Sequence, residues 1–453
     1  MNFELDKKTS SKFSKHLMIL LVVVFILNLS YSFFYRIEPA VDANAYDDIA
    51  WNFAQGIGYL EDASLEGAPE LDNAVARVGP GFEFFLAAIY KLFGHHLWLI
   101  WIFHAFFRVL TVLFIFLISK QLFSKYGEEI GLAAGFLFGL SPDLILLQAM
   151  LMTETLGLFL LTLSIWLALR LIDTPRLINA FFLGSSLAFA TWTRPTTLLI
   201  WIIMLGVLLW KRYYKETALL FVTTVIIMTP WTIRNFHIYN HFVPTSATGG
   251  YDLWIGNNPD AVGGFEKTPE QQRIRDTLHI IELETYGFHK YFEFIKKEPL
   301  KFVELQFRKT TMYFSGIRPT GWWSFLKNKP IDQAITLGAS GLWTGVLLLF
   351  GLSGLWIFFR RKTDLKSRLF LAFALLQPIS VIPVIVESRY RYPFFPFLAL
   401  FSAMFLVWWW KEKEIRTYLK KVLLSVLGIL IIMTGIDFLY NKEDIFNRIN
   451  KFM

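Results

Sequence analysis

About eleven apolar stretches recur along the chain, at roughly 17–34, 97–119, 130–147, 153–171, 177–192, 196–211, 217–233, 338–359, 367–386, 393–410 and 421–440. Each approaches the length of about 20 residues that a helix needs to cross the hydrocarbon of a bilayer. No other feature constrains the fold so tightly. In lipid, every backbone polar group must be satisfied within the protein, and a segment of this length does so as a helix. The reading is an all-α polytopic membrane protein. Arg194 and Pro195 interrupt the stretch 177–211, which makes its division into two spans the least regular part of the pattern. Composition agrees: 18% of residues are charged and 55% hydrophobic, where soluble chains carry about a quarter charged. Cysteine is absent, which excludes disulfides, thiolate metal sites and cysteine nucleophiles.

Residues 82–93 (FEFFLAAIYKLF) imitate a span. As a helix they would reach only about 18 Å, and they carry Glu83 and Lys91. Charge bias decides their place. With 82–93 left out and the N-terminus (Lys7, Lys8, Lys12, Lys15) in the cytoplasm, the basic clusters Lys120/Lys125, Arg170/Arg176, Lys211/Arg212/Lys215, Arg360/Arg361/Lys362/Lys366/Arg368 and Lys411/Lys413/Arg416/Lys420/Lys421 all fall inside. That is the positive-inside rule. Counting 82–93 as a span would turn all of these clusters outside. The segment therefore reads as an interfacial amphipathic helix on the outer face. The net charge of +8 is then a topology signal and does not point to nucleic acid. The basic-then-apolar N-terminus lacks a small-residue cleavage site and reads as an uncleaved first span. No soluble domain is expected after the last span, and the tail beyond Tyr440 would lie outside.

Two large outer segments result, about 35–96 and 235–337. The second opens with turn-rich stretches (Thr248-Gly249-Gly250, Gly256-Asn257-Asn258-Pro259-Asp260, Gly263-Gly264) and continues with helix-like sequence over about 268–312. The chain divides into an N-terminal transmembrane module, 1–234, the outer segment 235–337, and C-terminal transmembrane helices, 338–453.

The outer face collects acids and arginines. Asp42, Asp47 and Asp48 follow the first span within Val41-Asp42-Ala43-Asn44-Ala45-Tyr46-Asp47-Asp48. In a helix over 42–54, Asp42, Tyr46 and Ile49 share a face. Asp42 is equally suited to cap that helix. Glu154, after Thr153, lies at the outer start of the fourth span, where an acid also complements the helix dipole. Asp143 is a weaker candidate near it. Arg77, Arg194, Arg234, Arg389 and Arg391 stand at the same face, against the positive-inside bias. Arginine is the fork that grips phosphate, although any one of them could snorkel or pair with an acid. Arg108, inside the second span, reads as a structural ion pair, with a lipid phosphate as the alternative. His95, His96 and His104 are too scattered for a metal site, and no nucleotide-binding glycine pattern occurs. Carboxylates and arginines at a membrane surface suit a phosphate-bearing amphiphile, a carboxylate serving as base and arginines stabilising a leaving phosphate.

The order of the motifs resembles the GT-C glycosyltransferases that use polyprenyl-phosphate sugars, in the protein mannosyltransferase and aminoarabinose transferase group. Asp42-Ala43-Asn44-Ala45-Tyr46 matches the family's Asp-Glu-x-x-Tyr, with Ala43 in place of the Glu. Gly56-Ile57-Gly58-Tyr59 matches its Gly-rich turn. Arg77, Pro80 and Leu92-Phe93-Gly94 match the start and end of its interfacial helix. Thr153-Glu154, Arg194-Pro195, Pro230-Trp231-Thr232-Ile233-Arg234-Asn235, Gly256-Asn257-Asn258 and Arg389-Tyr390-Arg391-Tyr392-Pro393 follow in order over about 17–410. The resemblance implies a GT-C bundle of about eleven transmembrane helices with interfacial helices in the first outer loop, and places the catalytic module in 1–234. It implies Asp42 as catalytic base, Glu154 as second active-site acid, and Arg77, Arg389 and Arg391 as phosphate contacts. Arg194, Arg234 and Tyr390 join them as donor-binding candidates, and Tyr46, Asp47, Asp48 and Asn257 as further site residues. A divalent cation is allowed by the resemblance without being required.

The expected activity is inverting transfer of a sugar from a polyprenyl-phosphate donor to a protein, lipid or glycan acceptor at the outer face of the cell membrane. Alternatives are a transporter or lipid flippase, and a GT-C-like glycan ligase or polymerase. A transporter would place its charges near the midplane of two related halves, and only Arg108 leans that way.

Overall fold

The computed structural model describes residues 2–65, 79–318, 326, 329–361 and 364–450. Among them the regular structure is helical and no strand occurs. Seven helices are long and apolar enough to cross a membrane: Ser14–Tyr35, Leu97–Leu122, Thr153–Asp173, Tyr214–Tyr239, Pro330–Phe359, Ser388–Lys411 and Lys413–Glu443. A further candidate is a bent pair, Gly127–Gly139 with Pro142–Ala149. Shorter apolar helices, Leu177–Thr193, Pro195–Trp210 and Leu365–Val381, take up the remaining stretches. Each apolar stretch is thus a helix or a bent helix pair, and the chain is an integral membrane protein.

The stretch 130–147 is not one straight span. It breaks at Ser141-Pro142 with a bend of 55°. Proline disfavours the helical conformation in the residue before it, and Ser141 is extended there (φ −61°, ψ 120°). The bend turns Asp143 into the bundle, fully buried. Its carboxylate accepts from the Thr344 hydroxyl at 2.8 Å and from the Ser340 hydroxyl. Asp143 therefore ties two helices together. Arg108 corrects another expectation. It is buried, but its Nη2 donates to the Phe138 carbonyl at 2.7 Å and its guanidinium lies 4.3 Å over the Phe138 ring. A backbone carbonyl and a ring face hold it where an ion pair was expected.

Among the described residues of the segment 35–96 are two short α-helices, Asp42–Gln55 and Gly81–Phe93. The second of these is the expected short helix over 82–93. They pack on each other through Tyr46 and Phe82, whose rings are 5.7 Å apart. The start of Gly81–Phe93 docks on the end of Leu177–Thr193. A Cβ on Gly79 would lie 2.1 Å from the Trp192 carbonyl oxygen, so only glycine permits the approach.

In the segment 235–337 the helix-like sequence forms Pro269–Arg275, Ile280–Lys297 and Pro299–Phe314. Thr268 opens the first with a full capping box closed by Gln271. Ile280–Lys297 buries Ile280, Leu283, Gly287 and Phe294, a single helical face. Thr248-Gly249-Gly250 is not a turn; it leads into the helix Gly249–Gly256. Two glycines cost a helix about 1 kcal/mol each. Tertiary contact offsets that cost: the Glu284 carboxylate accepts the Gly250 N–H at 2.8 Å, an acid at a helix N-terminus.

Candidate active site

Val41, not Asp42, takes the capping position of the helix Asp42–Gln55. The Asp42 carboxylate is directed elsewhere. Its Oδ2 accepts from Arg389 Nη2 at 2.6 Å, across 347 residues of chain. Arg389 sits in the 3-10 helix Ser388–Phe394, which opens the span Ser388–Lys411. The pair is partly shielded, with side chains 24% and 11% exposed, and so keeps access to solvent. Its guanidinium also lies 5.4 Å over the Tyr390 ring. Beside the pair is a small cavity, ≈ 20 Å³, lined by Asp42, Arg389, Asp143, Met150, Met152 and Tyr392 among others.

A second ion pair lies next to the first. Arg194 Nη2 is 2.5 Å from Glu154 Oε1. Arg194 ends the helix Leu177–Thr193, and Glu154 begins Thr153–Asp173. Electrostatic interactions join Arg389 to Glu154, and Tyr46 to Asp42, Arg389, Glu154 and Glu83. Tyr46 is buried, and burial together with the Asp42 carboxylate holds its phenol well above the ordinary tyrosine range. It stays protonated, with its hydroxyl among these charges.

Glu154 is 2% exposed, and its carboxylate is paired with Arg194. Removing one partner of a buried pair leaves an uncompensated charge. Arg194→Met is expected to destabilise the protein by about 3 kcal/mol. Adding Glu154→Gln in the same chain should recover most of the loss, read as thermal unfolding in detergent.

Sequence reasoning missed Asp252. It lies on the helix Gly249–Gly256, hydrogen-bonded to Thr248, within electrostatic reach of Glu284, Lys267 and Asp42. Burial is the main cause that pushes its carboxyl up to about 7. A carboxyl raised on folding lends stability fully present below its unfolded pKa and lost as pH rises toward the folded value. Wild-type stability should therefore decline from about pH 4 to pH 7 through this group. Asp252→Asn should raise the unfolding temperature at pH 8 relative to wild type and flatten that decline. The signal in the sequence was an acid in a Gly-Gly-Tyr-Asp run, which reads as a turn.

Other expected site residues are placed apart from Asp42. Asp47 accepts from the Tyr90 hydroxyl at 2.5 Å and lies 2.9 Å from His95 Nε2, so it pins the helix Asp42–Gln55 to its neighbour. Asp48 is exposed. Arg391 turns into the core, where Nη1 donates to the Ser315 carbonyl at 2.8 Å and Nη2 to the Arg318 carbonyl. Asn257 is fully buried and bonded to the Leu253 and Pro383 carbonyls. Arg234 lies 5.0 Å over Trp231 and 5.6 Å over Tyr59. It lines an open groove of ≈ 470 Å³ with Phe53, Tyr59, Phe84, Trp192 and Trp231. Tyr59 in its wall interacts electrostatically with Glu83, Arg234 and Tyr46. Arg77 lies outside the described residues.

A divalent cation does not suit this arrangement. Among the described residues no group of three or more His, Cys, Asp and Glu side chains comes together as ligands. Arginines engage both Asp42 and Glu154 instead.

The family model for dolichyl-phosphate-mannose-protein mannosyltransferase matches residues 77–233. That span contains Glu154 and Arg194 but neither Asp42 nor Arg389. No curated protein matches the sequence. Among solved structures, the apo oligosaccharyltransferase of Archaeoglobus fulgidus superposes with a TM-score of 0.52 at 12% identity, over 93% of this chain and 56% of that one. The same organism's oligosaccharyltransferase AglB, in complex with an inhibitory peptide and a dolichol-phosphate, gives 0.50 at 12% identity, over 95% and 56%. ArnT from Cupriavidus metallidurans bound to undecaprenyl phosphate gives 0.38 at 14% identity, over 86% and 76%. The chain spans about half the length of the oligosaccharyltransferases it matches. The chain shares the fold of these oligosaccharyltransferases, and the family match lies within the stretch over which the mannosyltransferase-like motifs are read.

Proposed function

We propose that the chain is a glycosyltransferase that moves a sugar, with inversion, from a polyprenyl-phosphate donor to an acceptor at the extracytoplasmic face. The observation that carries this reading is the Asp42–Arg389 pair, partly open to solvent and adjoined by the buried Glu154–Arg194 pair. The family match and the shared fold support it.

In this reading the donor phosphate competes with Asp42 for the Arg389 guanidinium. Arginine binds phosphate through two parallel N–H donors, a geometry that favours phosphate in this exchange. Once Arg389 turns to the phosphate, Asp42 Oδ2 accepts the hydrogen bond of the acceptor hydroxyl, whose oxygen is the nucleophile. That oxygen attacks the anomeric carbon as its proton passes to Asp42. The bond from that carbon to the phosphate oxygen breaks, and the leaving polyprenyl phosphate carries away the electron pair with Arg389 stabilising its charge. The aromatic groove under Arg234 supplies apolar wall for the prenyl chain near its phosphate.

The test is to incubate purified protein with a panel of polyprenyl-phosphate sugars and follow hydrolysis or transfer by mass spectrometry. Sugar released or transferred from any member supports the reading. Uptake of a solute into proteoliposomes without any glycosyl product would overturn it in favour of a transporter.

A further inference from the structure

Arg389 is delivered to Asp42 by a link without regular structure. The helix Leu365–Val381 ends at Val381, and the turn that holds Arg389 begins at Ser388. Such a link is fixed only as firmly as its polar groups are gripped. The outer segment grips it at several points. The Gly263 carbonyl accepts the Val386 N–H at 3.0 Å. The Glu387 carboxylate accepts the Phe265 N–H at 3.0 Å. Gly256 lies so close to the Val384 carbonyl oxygen that a Cβ would come within 1.9 Å of it. Asn257 Nδ2 donates to the Pro383 carbonyl at 3.0 Å.

Lys309 lies behind these contacts, with no exposed surface. Its Nζ donates to Asn257 Oδ1 at 2.7 Å, to the Val384 carbonyl at 2.9 Å and to the Pro383 carbonyl at 3.4 Å. These partners are neutral oxygens. Burying an ammonium without a carboxylate beside it is costly, and burial pulls the Lys309 pKa down to about 7. An apolar side chain of similar length would fill the space without that cost. The three donors of the ammonium must therefore serve a purpose, and all three point at the link and at the residue that grips it.

We propose that Lys309 is a positioning residue: through Asn257 and the Pro383 and Val384 carbonyls it fixes the link 382–388, and with it the reach of Arg389 to Asp42. The proposal rests on Asp42 and Arg389 being the reacting pair.

The experiment uses the full chain in detergent or nanodiscs. Lys309→Met should lower kcat by about 10²-fold, the scale of a misplacement near 1 Å, and raise the donor KM, because the misplaced guanidinium also binds the donor phosphate in the ground state. Backbone hydrogen exchange should rise in 382–390 and stay at the wild-type level in 42–55 and 153–173. Asn257→Ala, which keeps the charge and removes the shared partner, should show the same pattern with a smaller loss. A wild-type kcat for Lys309→Met overturns the proposal. So does a loss of kcat without faster exchange in 382–390, and so does exchange rising across the whole outer segment with a lowered unfolding temperature in both variants. Asp42→Asn separates the two levels. It should be inactive with wild-type exchange in 382–390. If it is active, the reacting pair is misassigned, while the exchange result still decides whether Lys309 holds the link.

Discussion

Asp42→Asn is expected to lower kcat for sugar transfer by about 10²–10⁴-fold, the usual contribution of a positioned general base. The substitution is nearly isosteric, and an amide oxygen can still accept from Arg389 Nη2 where Asp42 Oδ2 now does at 2.6 Å. Folding and membrane insertion should therefore be unchanged, as judged by size-exclusion behaviour and thermal unfolding. The loss should fall on kcat, because in the proposed mechanism Asp42 acts on the acceptor proton as the bond forms and not on the donor in its ground state. Asp47 does not substitute for Asp42: Tyr90 and His95 engage its carboxylate on another side of the same helix. Full activity in Asp42→Asn would remove Asp42 as base, and with it the mechanism built on the Asp42–Arg389 pair.

The architecture was legible because lipid leaves few choices. Apolar runs of span length gave helices, and a short run with Glu83 and Lys91 gave the separate helix Gly81–Phe93. The bend at Ser141-Pro142 was not read, although its cause is local and visible. The helix Gly249–Gly256 was hidden for a different reason. Its glycines signal a turn locally, and the carboxylate that anchors its start is supplied by Glu284, 34 residues away. Asp252 was lost with it. Sidedness grouped the acids with the arginines but could not pair them, since no local pattern links Asp42 to Arg389 or Glu154 to Arg194. Arg389 and Arg391 looked equivalent in sequence. In a 3-10 helix, with three residues per turn, positions i and i+2 lie about 240° apart, so one reaches Asp42 and the other enters the core toward the Ser315 carbonyl. Asn257 was singled out for its place in a motif, but it acts as a brace under the link to Arg389.

Arg389→Ala should lower kcat by about 10²–10³-fold, the loss found when a donor aimed at developing negative charge is removed. The donor KM should rise as well, because the phosphate is already charged in the ground state and loses a charge-assisted hydrogen bond. Arg389→Lys should fall between wild type and Ala: it keeps the charge and loses the fork. The fold should tolerate the change, since the Asp42 side chain is 24% exposed and can be solvated when its partner is gone. The double variant Asp42→Asn/Arg389→Ala is the sharper measurement. Two groups acting in one step give a combined loss well short of the product of the single losses. If Arg389 served only to hold Asp42 in place, Arg389→Ala would lower kcat at unchanged donor KM, and Arg389→Lys would restore it. A raised donor KM in Arg389→Ala, with incomplete recovery in Arg389→Lys and non-additive losses in the double variant, assigns the guanidinium to the phosphate.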